Sequence, residues 1–312
     1  MKNVKNETHI EGYVYEHKLE KKVSGEKSKN PGTEFISGIL SISTDESCTN
    51  IVQIHFSYVT AVTSKGNSNK TYNILEAIID KKLGSVMADG IDNAAMVRID
   101  SALDLNEWYD KDNQLISVKR NEGGFIHQVN ELCQESGRAT FDVDMVITGC
   151  KRLEANEEKD TPEKLIVKGA IFNFRKELLP VEFSVLHPGA MNYFESLEPS
   201  TKSPVFTRVK GIQISQISTR KVEETSAWGE VSIREVKSSS KDFVINWAQQ
   251  EVYEWDDKST ILASELGEAI ANREIHLAEI KKRQDDYQAS KGSAIPVATA
   301  AATAPAKGGY DF

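Results

Sequence analysis

The chain has 312 residues, 39% hydrophobic and 27% charged, with 38 Lys plus Arg against 47 Asp plus Glu for a formal net charge of -9. Such a length and apolar content exclude a small scaffold that needs staples and suggest two domains or one large one; no run approaches the roughly 18 apolar residues of a membrane span. The acidic balance weighs against a general nucleic-acid binder, because phosphate binding is driven largely by Lys and Arg replacing counterions.

Thr8 to Val23 interleaves Ile10, Gly12, Val14 and Leu19 with polar residues at an approximate period of two, which predicts a strand. Ser24 to Gly32 is turn-rich and ends in Asn30-Pro31-Gly32, where Pro fixes φ and Gly accepts positive φ. Two β-branched and aromatic runs follow, Phe35 to Ile42 and Ile51 to Val59, joined as a hairpin around Thr44 to Ser47. Tyr72 to Ile79 switches to helical spacing, and that helix should stop by Gly84. Strands around Ala95 to Leu105 and Gln114 to Val129 complete the segment. Three strands, a helix and two strands is the element order of the OB-fold, a five-stranded Greek-key barrel.

From Ala139 the order recurs. Strands are expected at Thr140 to Leu153, Leu165 to Phe174 and Pro180 to Leu186, a plug helix at Pro188 to Leu197, and strands at Val205 to Ser218 and Val231 to Trp247. The copies share local wording: Phe35 to Ile39 parallels Ile166 to Ala170, each with a strand-interior Gly, and Met96 to Ile99 parallels Thr207 to Lys210, each with a basic residue early in the fourth strand. A Gly inside a strand marks a bulge or tight bend, which a small barrel needs where one strand serves both halves of the sheet. Weak repetition of this kind indicates a tandem array.

Ser259 to about Gln288 carries Leu262, Leu266, Ile270, Leu277 and Ile280 near one face of an amphipathic helix. Ser290 to Lys307 is almost entirely Ala, Gly, Pro, Ser, Thr and Val, the composition of a flexible linker, and Gly308 to Phe312 follows. The expected organisation is mainly β: OB-like domains at 1–130 and 131–258, a helix at 259–289 that packs on a barrel or on a second subunit of a homo-oligomer, and a linker with its tip at 290–312.

Catalytic constellations are missing from the sequence: it has no phosphate-cradling Gly-rich loop with its Lys, no HExxH, no GxSxG and no nicotinamide fingerprint. The six histidines, His55, His127 and His187 among them, are scattered singly without a second ligand at metal spacing. Asp100 to Asp112 is rich in carboxylates and reads as a solvated loop between strands. Cys48, Cys133 and Cys150 are odd in number and lack CxxC spacing, which fits a reducing interior. Met1 to Glu7 lacks the apolar core of a signal peptide, so a cytosolic protein is expected, without cofactor or metal.

The strands offer instead aromatic residues mixed with cations. An OB-fold binds on its second and third strands and flanking loops, where bases stack on rings and a basic groove follows the backbone. In the first copy the candidates are Phe35, His55, Phe56 and Tyr58, with Lys18, Lys21, Lys22 and Lys29 before them and Arg98, Trp108, Lys119 and Arg120 on later strands. In the second copy they are Arg152, Phe174, Arg175, Lys176, Arg208, Lys210 and Trp228. A Phe that faces inward belongs to the barrel core, so Tyr58, Trp108 and Trp228 are the better surface candidates.

Two OB-like units, a helix, an Ala/Gly/Pro linker and a terminal Tyr310-Asp311-Phe312 together resemble the single-stranded-DNA-binding proteins of bacteriophages and mobile elements. In the bacterial members a flexible linker leads to a short acidic tip whose final Phe and terminal carboxylate dock on replication and repair enzymes. Asp311 and Phe312 match that last pair, without the run of aspartates that precedes it there. The resemblance implies binding and protection of unpaired DNA in replication, recombination or repair in a bacterial host cytoplasm, with partner enzymes recruited by Tyr310, Asp311 and Phe312. A protein-interaction or virion structural module built from the same barrels would need no account of the acidic charge, and an enzyme with an unrecognised site is the other class.

Overall fold

The computed structural model describes residues 4–155, 162–225, 231–255 and 261–292, with side chains described throughout except at 217–225, 231–240 and 290–292. The first unit comprises β1 (Asn6–Val23), β2 (Glu34–Ser43), β3 (Ile51–Thr60), helix α1 (Lys70–Ile79), a single turn α2 (Val86–Asp89), β4 (Met96–Tyr109) and β5 (Leu115–Gln128). β1 pairs antiparallel with both β2 and β4, β2 pairs with β3, and β4 with β5. Ile54 and His55 of β3 meet Asn121 and Glu122 of β5 in parallel. The ladder thus closes in the order 1-2-3-5-4-1, the Greek-key ring of an OB barrel.

The second unit repeats it with β6 (Ala139–Leu153), β7 (Lys164–Phe172), β8 (Leu178–Val185), α3 (Pro188–Ser196), β9 (Val205–Thr225) and β10 (Val231–Ala248). β6 pairs with β7 and β9, β7 with β8, β9 with β10, and β8 runs parallel to β10. The rings are joined because β1 also pairs with β6, from Asn6 opposite Val143 to Ile10 opposite Ala139.

Each barrel is filled by the inward residues of its strands and stoppered by its helix. In the first, Ile10, Val14, Ile36, Leu40, Ile54, Phe56, Val97 and Ile99 surround Tyr72, Leu75 and Ile78, which share one face of α1. The Asn69 side chain caps α1 by accepting the Thr71 N–H at 3.1 Å. In the second, Phe141, Val167, Phe183 and Phe243 surround Met191 and Phe194 of α3, which starts at Pro188. The two matched strand glycines sit where β2 and β7 bend tightly over the preceding strand. A Cβ on Gly38 would stand 2.0 Å from the Lys18 carbonyl oxygen, and one on Gly169 would stand 2.1 Å from that of Val146.

Several boundaries differ from the sequence reading. Asp100 to Tyr109 is strand, and only Asp110 to Gln114 is turn. Leu103 and Leu105 alternate with polar residues at strand period, and Leu103 is buried in the core of the second barrel rather than the first. β7 stops at Phe172, so Phe174 lies in the following turn, and β9 continues past Ser218 to Thr225. Helix α4 runs Ala263–Gly292, so 290–292 are helical rather than linker. Its inner face is Leu266, Ala269 and Arg273; Ala269 and Ile261 pack with Phe172 and Phe206 of the second barrel, whereas Ile270 faces solvent. Among the described residues no helix is long and apolar enough to cross a membrane.

The β2–β3 turn is organised by Asp45, which is 5% exposed and accepts the Thr49 N–H at 3.0 Å and the Asn50 N–H at 2.9 Å. Burial pushes its pKa up, but the Ser47 and Thr49 hydroxyls and those two N–H groups outweigh burial and hold the carboxyl at about 2. A folded-state pKa below the unfolded value contributes stability above the unfolded pKa that is lost as pH falls through the folded one. Asp45→Ala is therefore expected to cost about 2 kcal/mol at neutral pH. In urea melts that difference should shrink between about pH 4 and pH 2.

Candidate functional site

The outer face of β2 and β3 in the first barrel is turned toward the second barrel. Ile39, Gln53 and His55 line a cavity of about 310 Å³ whose other walls are Asn106, Val118, Lys119 and Arg120 of the β4–β5 hairpin and Gln213, Lys241 and Phe243 of β9 and β10. Across it, the Asn121 and Gln213 amides bond reciprocally at 2.9 and 3.0 Å, Ser215 N–H donates to the Asn50 side chain at 2.6 Å, and Lys241 Nζ donates to Gln53 Oε1 at 3.1 Å.

The hairpin then crosses the corresponding face of the second barrel. With Thr148, Lys168, Pro180 and Glu182 it borders a second groove of about 540 Å³, and Lys119 lines both spaces. The Lys119 ammonium lies 4.9 Å from the centre of the Phe243 ring and 5.4 Å from that of Phe183, and donates to the Glu182 carbonyl. Burial lowers its pKa, opposed by the charges of Asp242 and Glu182. Strand pairing puts Asp104, Asn106, Trp108, Ile116, Val118 and Arg120 on one face of the hairpin, so exposed Trp108 and Val118 extend the wall that Arg120 begins.

The charges beside this cleft are partly met within the chain. His55 Nδ1 lies 3.3 Å from Glu122 Oε2, and an Arg120 Nη lies 3.1 Å from the same oxygen. Burial pushes the Glu122 pKa up, but hydrogen bonds from His55 and Ser57 and the Arg120 charge hold it below the usual carboxylate range. Asp242 is engaged by the Ser184 hydroxyl at 2.7 Å and Lys164 at 3.0 Å.

Of the residues singled out in the sequence, His55, Lys119 and Arg120 meet in the cleft and Trp108 lies on the same hairpin face. Phe56 is a correction: it is fully buried in the first core and has no face for a base. Phe35 and Tyr58 lie against each other outside the cleft with their ring centres 4.5 Å apart and their planes tilted by 36°, and Tyr58 is bonded to Ser24 at 3.1 Å. Lys18 and Lys29 are exposed there, Lys21 is paired with Glu76 and Asp80, and Lys22 with Glu20. Arg98 pairs with Asp100, Arg152 with Glu163 and Glu195, and Arg208 donates to Asp142 at 2.6 Å, so their charges are met within the chain. Phe174 is 83% exposed, beside Arg175 and Lys176 in the β7–β8 turn. Lys210 lies 4.8 Å from the centre of the exposed Trp247 ring. Trp228, Tyr310, Asp311 and Phe312 lie outside the described residues. Gln53, Gln213, Lys241 and Phe243 were missed, because nothing local marks them; they join the site only through the packing of one barrel on the other.

A family model described as YorF matches residues 5–283, both barrels and most of α4. The chain belongs to the YorF family. No curated protein matches this YorF chain. Among solved structures it is similar to a deletion variant of the single-stranded DNA binding protein from Thermus aquaticus, at 8% identity and a TM-score of 0.44, over 82% of this chain and 98% of that one.

Proposed function

We propose that the chain binds unpaired DNA without catalysing a reaction on it, holding the strand in the cleft between its barrels. The observation that carries this reading is the convergence of Lys119, Arg120 and Lys241, with His55 and a single carboxylate, Asp242, on one cavity of an otherwise acidic protein, beside the exposed ring of Trp108. Stacking contributes about 1–3 kcal/mol per base, and phosphate contacts add a salt-dependent part. Acidic outer surfaces keep duplex and non-specific binding low. Fluorescent oligo(dT) should bind at low salt and be released at high salt, with single strands competing far better than duplex. Absence of binding at low salt, or equal competition by duplex, contradicts the reading.

Protection of unpaired DNA during replication, recombination or repair in a bacterial cytoplasm follows from it. Tyr310, Asp311 and Phe312 are proposed to recruit partner enzymes. Deleting these three residues is expected to leave oligo(dT) affinity unchanged while abolishing capture of a host replication or repair enzyme in a pull-down. Capture that survives the deletion removes that role.

A second reading has its own observation. A groove of about 820 Å³ is lined by Glu7, Asp100, Asp104, Glu122 and Asp142, with Phe125 71% exposed and Phe174 83% exposed at its rim. An acidic groove with bare aromatic rings fits a cationic protein segment better than a nucleic acid, as an interaction module would require. Binding of a Lys-rich peptide in place of oligo(dT) would favour it.

A further inference from the structure

The geometry points to a divalent transition-metal site, of the kind zinc occupies, formed by His9, Glu11 and Cys133 where β1 meets the segment that links the barrels. A ring nitrogen of His9, a carboxylate oxygen of Glu11 and the Sγ of Cys133 all lie within 4.8 Å of one another. His9 Nε2 and Glu11 Oε2 are 3.3 Å apart. Two donors each about 2.0–2.1 Å from a tetrahedral ion stand about 3.3–3.4 Å apart, so this pair already has the spacing of two ligands on one zinc.

Each ligand is also oriented by a bond through an atom the metal would not use. His9 Nδ1 lies 2.9 Å from Asp100 Oδ1, directly across the β1–β4 ladder, which leaves Nε2 to face the site. A carboxylate on the far nitrogen of a ligating His is the usual outer support of zinc sites. Glu11 is 5% exposed, and its Oε1 accepts the Cys133 N–H at 2.5 Å while Oε2 faces His9. The Cys133 carbonyl accepts from Arg138 Nε at 2.7 Å, and the Arg138 carbonyl accepts the Glu11 N–H at 2.7 Å, so the linking segment is laced to β1 on both sides of the thiol. Mixed N, O and S donors suit zinc or cobalt rather than calcium or magnesium. Three protein ligands leave a fourth position for water or another donor. Spacing along the sequence hides the set, since His9 and Glu11 are two apart on a strand and Cys133 arrives from the far side of the first barrel.

The rival arrangement is metal-free, with His9 bonded to Asp100 and Glu11 and the Cys133 thiol on the Glu11 carboxylate. Cobalt(II) added anaerobically to the full-length reduced protein separates the two. One equivalent should produce the thiolate-to-cobalt charge-transfer band and the visible bands of a tetrahedral ion, and zinc should bleach them. Cys133→Ser and His9→Gln should each lose the charge-transfer band, the Cys48→Ser/Cys150→Ser double variant should keep it, and Asp100→Asn should weaken cobalt affinity by about 10–100-fold. Circular dichroism confirms that each variant is folded. No band in the native protein, or a band that persists in Cys133→Ser, overturns the site and leaves the metal-free hydrogen-bonded cluster as the reading.

Discussion

Replacing Lys119 by Met and both Arg120 and Lys241 by Gln is expected to lower affinity for oligo(dT) about 100-fold at low salt, and to make the slope of log K against log salt shallower by about 2. The slope follows from removing three cationic contacts at about 0.7 per phosphate for a single strand. These residues are the choice because all three line one cavity, Arg120 while also paired with Glu122, whereas Arg152 and Arg208 are held by carboxylates away from it. Met keeps an unbranched apolar chain of similar reach beside the Phe183 and Phe243 rings that the Lys119 ammonium now approaches, so the barrels should remain packed. A phosphate would add to the charges of Asp242 and Glu182 in offsetting the desolvation of the Lys119 ammonium. Fluorescence anisotropy at several salt concentrations measures both quantities, and an unchanged slope would place the strand elsewhere.

Arg273→Met is expected to destabilise the protein by about 3–5 kcal/mol, the largest single-residue effect anticipated here. Arg273 of α4 binds Glu107 of the β4–β5 hairpin through both guanidinium nitrogens, one of them at 2.6 Å, and the two side chains are only 12% and 3% exposed. Removing the guanidinium strands a buried carboxylate. The pair also fixes the hairpin against the second barrel, so its loss should weaken oligo(dT) binding as well. Adding Glu107→Leu should recover most of the stability, because replacing both partners by apolar groups removes the uncompensated charge. Urea midpoints for the two single variants and the double variant give the coupling directly. A cost below about 1 kcal/mol for Arg273→Met would show that α4 does not hold the hairpin.

The pattern of hydrophobic spacing carries most of this architecture. Tyr72, Leu75 and Ile78 change the period from two to helical between strands, and Met191 and Phe194 do so again, which is enough to locate both plug helices. Gly38 and Gly169 announce a bend because only glycine tolerates a carbonyl oxygen that close. Acidic composition misled at Asp100 to Tyr109: charge suggested a loop, but polar residues on one face of a projecting hairpin are compatible with strand pairing along its whole length. Sequence could identify His55, Lys119 and Arg120 as basic residues on strands of the first copy. It could not show that they face Lys241 and Gln213, since that depends on the β1–β6 pairing between barrels. The same dependence hid the partnership of His9 and Glu11 with Cys133.

The most direct test is to photo-crosslink oligo(dT) carrying bromodeoxyuridine to the full-length protein and map the modified peptides. Crosslinks are expected on the β4–β5 hairpin around Trp108, the exposed aromatic residue beside the cleft, and on β10 around Lys241 in its wall. Crosslinks confined to Phe125 and Phe174, or to Phe35 and Tyr58 on the outer surface of the first barrel, would contradict the account.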